Sequence, residues 1–385
     1  MNIYYWSPFL SPVATVRAVI NSAKSIKKYS SGTMSPCIIN AVGEWNKYRE
    51  EIKNNDINIV NFYFQKSFYS KLPRFGFIKS RFSYFLIIFL SIFQLHKLLR
   101  QTKKNDVFVI HLLVSAPLIL LLFFSYRCKF ILRVSGLPKL HFLRKYFWKL
   151  SNKNLSYVTC PTKNTKNDLI NQNIFNHYKL KILRDPIIQI CEVKKKLNKK
   201  LKLKINFKYC LCIGRLTEQK NFQFVINNFK KIIKIDKDIQ LLFLGEGEDK
   251  KKLLNLVSKE SLHNSIHFYG HQENVYYFLK NAHCFILSSN WEDPGWVLVE
   301  AAISRVPIIS SDCKHGPEEI VKIPDAGYIF KSNNGHDFIE TYKNFLNEKV
   351  NKPNEANRKI FNALKISKKY TIFNHYQEFK KILLD

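Results

Sequence analysis

Carboxylates are scarce in this chain: 29 Asp and Glu stand against 62 Lys and Arg, a formal charge of +33 over 385 residues. A field of that sign selects for phosphorylated substrates, anionic membrane surfaces or nucleic acid. Nucleic acid is the least favoured, because no zinc-finger spacing, RNP-type aromatic motif or basic-zipper pattern accompanies the lysines. The abundance of Lys, Asn and Ile also reflects plain compositional bias. No signal-peptide pattern is read at the start of the sequence either; the first six residues are expected to form a strand entering a globular domain. Long apolar runs are few. Residues 84–95 make about a dozen, short of the ~20 a membrane-crossing helix needs, and residues 107–124 are interrupted by His111, Ser115 and Pro117. The expectation is a cytoplasmic protein, peripheral to an anionic membrane surface and not spanning it. Lys71, Arg74, Lys79 and Arg81 precede the first run and suit acidic lipid, though packing on a sheet is its plainer use. The eight cysteines are scattered, several in apolar runs, and read as reduced core thiols with no disulfide framework and no metal site.

At this length two domains are expected. From residue 208 to 330, short apolar runs alternate with longer mixed segments. Strands are predicted at 209–213, 240–244, 266–269, 284–287, 307–310 and 328–330, with helices at 222–235, 250–259, 273–281, 295–304 and 317–321. The alternation predicts an α/β chain with parallel, doubly wound sheets. The N-terminal half offers strands at 3–6, 36–42, 57–62, 107–112, 130–134 and 157–160. Two Rossmann-like domains follow, 1–188 and 189–365, with residues 191–204 as linker and a helix at about 366–385 returning to the first domain.

Three strand ends carry the chemistry. The segment Trp291-Glu292-Asp293-Pro294-Gly295-Trp296-Val297-Leu298-Val299-Glu300 places one acid in a loop after a strand and a second inside the next helix. Free N–H groups at that helix start, from Trp296, Val297 and Leu298, suit an anion or hydroxyl-rich ligand. At Gly214-Arg215-Leu216-Thr217-Glu218-Gln219-Lys220, two cations follow a strand and suit a pyrophosphate. At Leu244-Gly245-Glu246-Gly247, glycines permit close backbone approach. His263, His267 and His271 have helical spacing across a predicted strand and do not share a face. Tyr146, Phe147 and Trp148 beside Lys145 and Lys149 read first as core and second as a lipid-facing patch.

Taken together, these motifs resemble glycosyltransferase family 4, retaining enzymes of the GT-B fold with two Rossmann-like domains facing a central cleft. The further matches are His267-Phe268-Tyr269-Gly270, and Pro307-Ile308-Ile309 leading to Gly316-Pro317-Glu318-Glu319-Ile320, so that residues 205–330 are covered in the family's order. The Trp291–Gly295 variant looks like a subgroup of bacterial O-antigen and capsule enzymes. The resemblance implies retaining transfer of a hexosyl group from a UDP- or GDP-linked sugar, without metal or cofactor, to a lipid-linked saccharide acceptor at the inner face of the cytoplasmic membrane. It implies Glu292 at the donor sugar, Glu300 at the ribose, and Arg215 and Lys220 at the diphosphate, with Gly214, Gly245, Gly247 and Gly295 shaping the donor loops. His111 matches a histidine near the donor sugar, with a buried core histidine as the equal alternative. The chain departs from the pattern after its first strand, where Ser7-Pro8-Phe9-Leu10-Ser11-Pro12 replaces a glycine-rich loop. Arg17 and Arg133 are weaker candidates for the acceptor. A non-catalytic basic module on the same fold, binding a nucleotide sugar or nucleic acid, is the rival from another class. Epimerase and phosphorylase readings are weaker, and nothing in the sequence argues for a pyridoxal lysine.

Overall fold

The computed structural model describes residues 1–384 apart from 12–13, 63–67, 74–76, 137–139 and 200–204. The chain divides into two compact units, residues 1–186 with 372–385, and residues 187–371.

The first unit is built on seven parallel strands: β1 (Asn2–Trp6), β2 (Ser35–Asn40), β3 (Asn58–Asn61), β4 (Val107–Ile110), β5 (Lys129–Arg133), β6 (Tyr157–Cys160) and β7 (Leu180–Ile182). Their order is β3-β2-β1-β4-β5-β6-β7. The chain therefore moves outward from β1 and resumes on its other side at β4, which makes the carboxyl ends of β1 and β4 a topological switch point. Apolar side chains on both faces of the sheet explain why these strands read as continuous runs. The helix Ala14–Tyr29 covers one face and packs against the last helix, Ile372–Leu384. The opposite face carries Phe77–Gln101, Ser115–Phe123 and Phe142–Ser151. The first of these is 25 residues long, which corrects the dozen read from the apolar run alone. Its stretch Lys79–Gln101 is long and apolar enough to cross a membrane by length and composition.

The second unit has six parallel strands, β8 (Tyr209–Ile213), β9 (Gln240–Leu244), β10 (Ile266–Phe268), β11 (Cys284–Leu287), β13 (Ile308–Ser311) and β15 (Tyr328–Phe330), in the order β10-β9-β8-β11-β13-β15. Two short strands, β12 (Trp291–Glu292) and β14 (Lys314–His315), pair beside them. The helix Phe222–Ile235 buries Phe222, Val225, Ile226, Phe229 and Ile232, an i, i+3, i+4, i+7, i+10 stripe that seats it on the sheet. The basic segment expected as a linker is different: Ile190–Asn198 is a helix of this unit, with Val193 in its core. Val193 and Leu197, one turn apart, supply the apolar contacts that its lysines disguise. Lys200–Lys204 lie outside the described residues. In this sheet the switch point lies between β8 and β11, where the conspicuous motifs converge.

Candidate functional site

At the carboxyl end of β8, Gly214 adopts φ +155°, and a Cβ there would stand 2.8 Å from Lys220 Cε. The missing side chain is what lets the Lys220 stem fold back over the strand end. Its ammonium meets the Glu292 carboxylate, with both side chains largely buried. Ser289 Oγ donates to the same Glu292 Oε1 at 2.6 Å. The pair is held by a network between two loops. The Asn290 backbone N–H donates to Gln219 O at 2.8 Å, Asn290 Nδ2 to Glu218 O at 2.9 Å, Gln219 Nε2 to Trp291 O at 3.0 Å, and Ser288 Oγ to Lys220 O at 2.9 Å. Sequence reasoning gave Lys220 and Glu292 separate tasks on diphosphate and sugar. The fold joins them into one ion pair. It also adds Ser289 and Asn290, whose only signal was the run of short polar residues after an apolar strand.

Arg215 is exposed and, among the described residues, has no hydrogen-bond or ion-pair partner. Among the described residues the Arg215 guanidinium thus stays unpaired while the Lys220 ammonium is neutralised. Thr217 Oγ1, two residues on, is buried without a partner.

Gly245 and Gly247 have a structural reason of their own. A Cβ at Gly245 would fall 1.9 Å from Gly214 O, and one at Gly247 would fall 2.3 Å from Leu216 O. The loops after β8 and β9 thus touch backbone to backbone, and Leu216 N–H donates to Glu246 O at 3.0 Å. On the other side, a Cβ at Gly316 would lie 1.8 Å from Pro294 O, so the β12–β14 pairing presses the Pro294 loop into place.

Gly295, at φ +87°, heads the helix Trp296–Ile303. Leu298 does not serve as the expected amide donor, because its N–H already donates to Gly295 O at 3.0 Å and its side chain is in the core. Trp296 and Val297 occupy the helix start, half-buried. One turn on, Glu300 is half-buried, and desolvation pushes its carboxyl up to about 7, with Lys196 and Lys220 pulling it back down.

In the first unit, His111 follows β4 and is nearly buried. Its backbone N–H donates to Trp6 O at 2.9 Å, and the ring Nδ1 has no partner among the described residues. Burial, with Arg133 and His375 adding like-charge repulsion, holds its pKa well below the usual value and keeps the ring neutral. Arg133 is not presented to an acceptor: it is buried, pairs with Asp185 and donates to Leu183 O. Arg17 pairs with Glu51 at 2.6 Å and lies over the Tyr48 ring at 5.8 Å. Pro12, in the segment after the first strand, lies outside the described residues, as do Leu137 and Pro138 downstream of Arg133.

Residues 193–363 match the family model for glycosyl transferases group 1. An uncharacterized glycosyltransferase of Methanocaldococcus jannaschii is 44% identical over 28% of this chain and 27% of its own length. The amylovoran biosynthesis glycosyltransferase AmsD of Erwinia amylovora is 34% identical over 31% of this chain and 33% of its own length. A Campylobacter jejuni enzyme named as an N-acetylgalactosamine-N,N'-diacetylbacillosaminyl-diphospho-undecaprenol 4-alpha-N-acetylgalactosaminyltransferase is 24% identical over 64% of this chain and 69% of its own length. The alignments thus span about a third or less of the first two relatives. Among solved structures, a Rickettsia africae glycosyltransferase superposes with a TM-score of 0.77 at 14% identity, covering 99% of this chain and 97% of that one. Anabaena HepE in complex with UDP and glucose gives 0.71 at 14% identity, over 100% and 99%. The fold is GT-B.

Proposed function

We propose, for a chain whose residues 193–363 match the family model for glycosyl transferases group 1, that it transfers a hexosyl group from a nucleotide diphosphate donor with retention of configuration. The observation that carries this reading is the Lys220–Glu292 pair at the switch point of the second sheet, with exposed Arg215 beside it. As the bond to the sugar breaks, negative charge grows on the diphosphate. Arg215 and the Lys220 ammonium would neutralise it in place of a metal. Glu292, fixed by Ser289, would accept from donor-sugar hydroxyls. Glu300 would accept from the two ribose hydroxyls once ionised. Neutral His111 would offer Nδ1 to a sugar hydroxyl.

The donor is read as UDP- or GDP-linked, in keeping with the UDP complex of HepE. The acceptor is read as a lipid-linked saccharide of a bacterial surface polysaccharide, O-antigen, lipopolysaccharide or capsule. The Campylobacter relative's name includes a diphospho-undecaprenol, and the charge of +33 suits such an acceptor at an anionic cytoplasmic membrane surface. The test is a panel of UDP- and GDP-sugars assayed for transfer and hydrolysis with wild type, Arg215→Ala, Lys220→Ala and Glu292→Ala. Near-normal turnover in all three variants would overturn the reading.

A further inference from the structure

Between Phe82 and Phe93 the helix Phe77–Gln101 is more polar on its buried side than on its exposed one. Ser83, Ile87, Ser91, Leu95 and Leu99, spaced by four, are fully buried. Ser83 Oγ donates to Pro73 O at 2.7 Å, with Lys79 O at 3.1 Å, and Ser91 Oγ to Ile87 O at 2.5 Å. The outward positions, also spaced by four, are Phe85, Phe89 and Phe93, at 65%, 69% and 72% exposure, joined by Phe82 and ending in exposed Lys97. In water this arrangement is inverted, because isolated Phe rings are not left uncovered along three turns of a helix whose inner face spends two positions on serine.

The stripe is not isolated. The helix packs on Ser115–Phe123, which packs on Phe142–Ser151. The latter two expose Phe123, Phe142, Leu143 and Tyr146. Around them the chain is almost devoid of negative charge. Residues 57–167 contain 19 Lys and Arg and a single carboxylate, Asp106. Asp106 is buried, accepting from the backbone N–H groups of Asn2 and Lys103. Arg127 and Lys149 stand exposed among the aromatic positions.

We propose that this helical layer is a monotopic docking surface for an anionic lipid bilayer, with the Phe82–Phe93 face seated at the boundary between headgroups and acyl chains. An aromatic face flanked by lysine and arginine and lacking acidic neighbours matches that interface on both counts, apolar depth and surface charge. Lys79–Gln101 is long enough to cross a membrane, but Ile87, Leu95 and Leu99 pack into the sheet's core on the other side. The helix therefore lies in the membrane plane. The surface deepens the membrane-surface reading above and is independent of the transfer reaction.

The experiment is flotation of the full chain with phosphatidylcholine vesicles, alone or with phosphatidylglycerol. Wild type should float with the mixed vesicles and be released by high salt or carbonate. Phe85→Ser/Phe89→Ser/Phe93→Ser should lower partitioning by at least about 30-fold while keeping its donor-hydrolysis rate. Lys97→Glu/Lys149→Glu should lose the preference for anionic lipid. In Phe89→Trp, indole emission should shift to the blue on vesicle binding and be quenched by brominated acyl chains. Three results would overturn the surface: no flotation of wild type, an indole that stays in water, or resistance to carbonate. So would a dimer in light scattering that the triple Ser variant dissolves, since a second copy would then be what covers the face.

Discussion

The Lys220 ammonium and the Glu292 carboxylate form an ion pair across 72 residues of sequence, with Ser289 Oγ on the same carboxylate oxygen. Both side chains are mostly removed from water, so each is the other's main compensation for lost hydration. The pair itself is thus neutral in the free site, and a diphosphate would compete with Glu292 for the lysine.

Removing one partner strands the other. Glu292→Gln should cost about 2 kcal/mol of stability of the second unit, toward the lower end for a buried pair because water still reaches Lys220. It should also lower transfer by about 10²–10³-fold if Lys220 and Glu292 act on the donor. Lys220→Met/Glu292→Gln should regain most of the stability and none of the activity. Thermal unfolding beside a transfer assay separates the two effects. Recovery of activity in the double variant would make the pair a structural clamp only.

If Glu300 holds the donor ribose as proposed, it sets a pH dependence on donor binding. Its carboxyl is raised to about 7 by burial, so the folded protein holds a proton that the unfolded chain releases nearer 4.5. Its contribution to stability is fully present below about 4.5 and is lost as pH rises through about 7. Binding ribose hydroxyls needs the ionised form. Donor affinity should therefore fall about tenfold between pH 8 and pH 6, and Glu300→Gln should bind weakly with a flat profile. Calorimetric titration with the nucleotide diphosphate across that range reads both.

The glycine loops give a packing test. Gly245→Ala would drive a methyl to 1.9 Å from Gly214 O, at φ +140°. The backbone contact between the two loops must open, at a cost of about 3 kcal/mol. Gly32→Ala is the control, for it shares a positive φ of +78° but meets nothing within 4 Å, and should cost about 1 kcal/mol. Equal denaturant midpoints for the two variants would show that the loop contact is not needed.

Much of this architecture was legible in the chain. Strands such as Tyr-Cys-Leu-Cys-Ile at β8 and Cys-Phe-Ile-Leu at β11 are buried on both faces, so they appear as unbroken apolar runs with the observed limits. β7 was missed, since three residues with a lysine in the middle make no run. So were the helices Gly335–Asn351 and Pro353–Ser367, whose Lys and Asn content blurs the apolar stripe. The site's charges could be named because each follows a strand. Their pairings could not. Lys220 with Glu292, and Arg133 with Asp185, depend on loops brought together by sheet order, and no local pattern encodes that. The exposed Phe stripe was hidden for another reason: composition shows how apolar a helix is, not which side faces the sheet.

Acid should loosen the last helix of the first unit early. His375, on the last helix, contacts Ser22 Oγ at 2.8 Å and Arg184 O at 2.6 Å, and Ser22 in turn contacts the Tyr5 hydroxyl at 2.8 Å. Burial lowers the His375 pKa to about 4, and His111 lies well below its usual value beside the same Arg133. Both rings are neutral in the fold and charged when unfolded near pH 5. The unfolded chain therefore binds more protons, and stability falls as pH drops from about 6.5 toward 4. Protonating His375 would set a second cation against Arg133, whose charge Asp185 already balances. The last helix, which packs on Ala14–Tyr29 through this network, should detach first. Hydrogen exchange at pH 5 should show early loss of protection in Ile372–Leu384 and Ala14–Tyr29. His375→Gln, which keeps a hydrogen-bonding side chain but cannot take the charge, should weaken that pH dependence and leave the shares carried by His111 and by the second unit's His283.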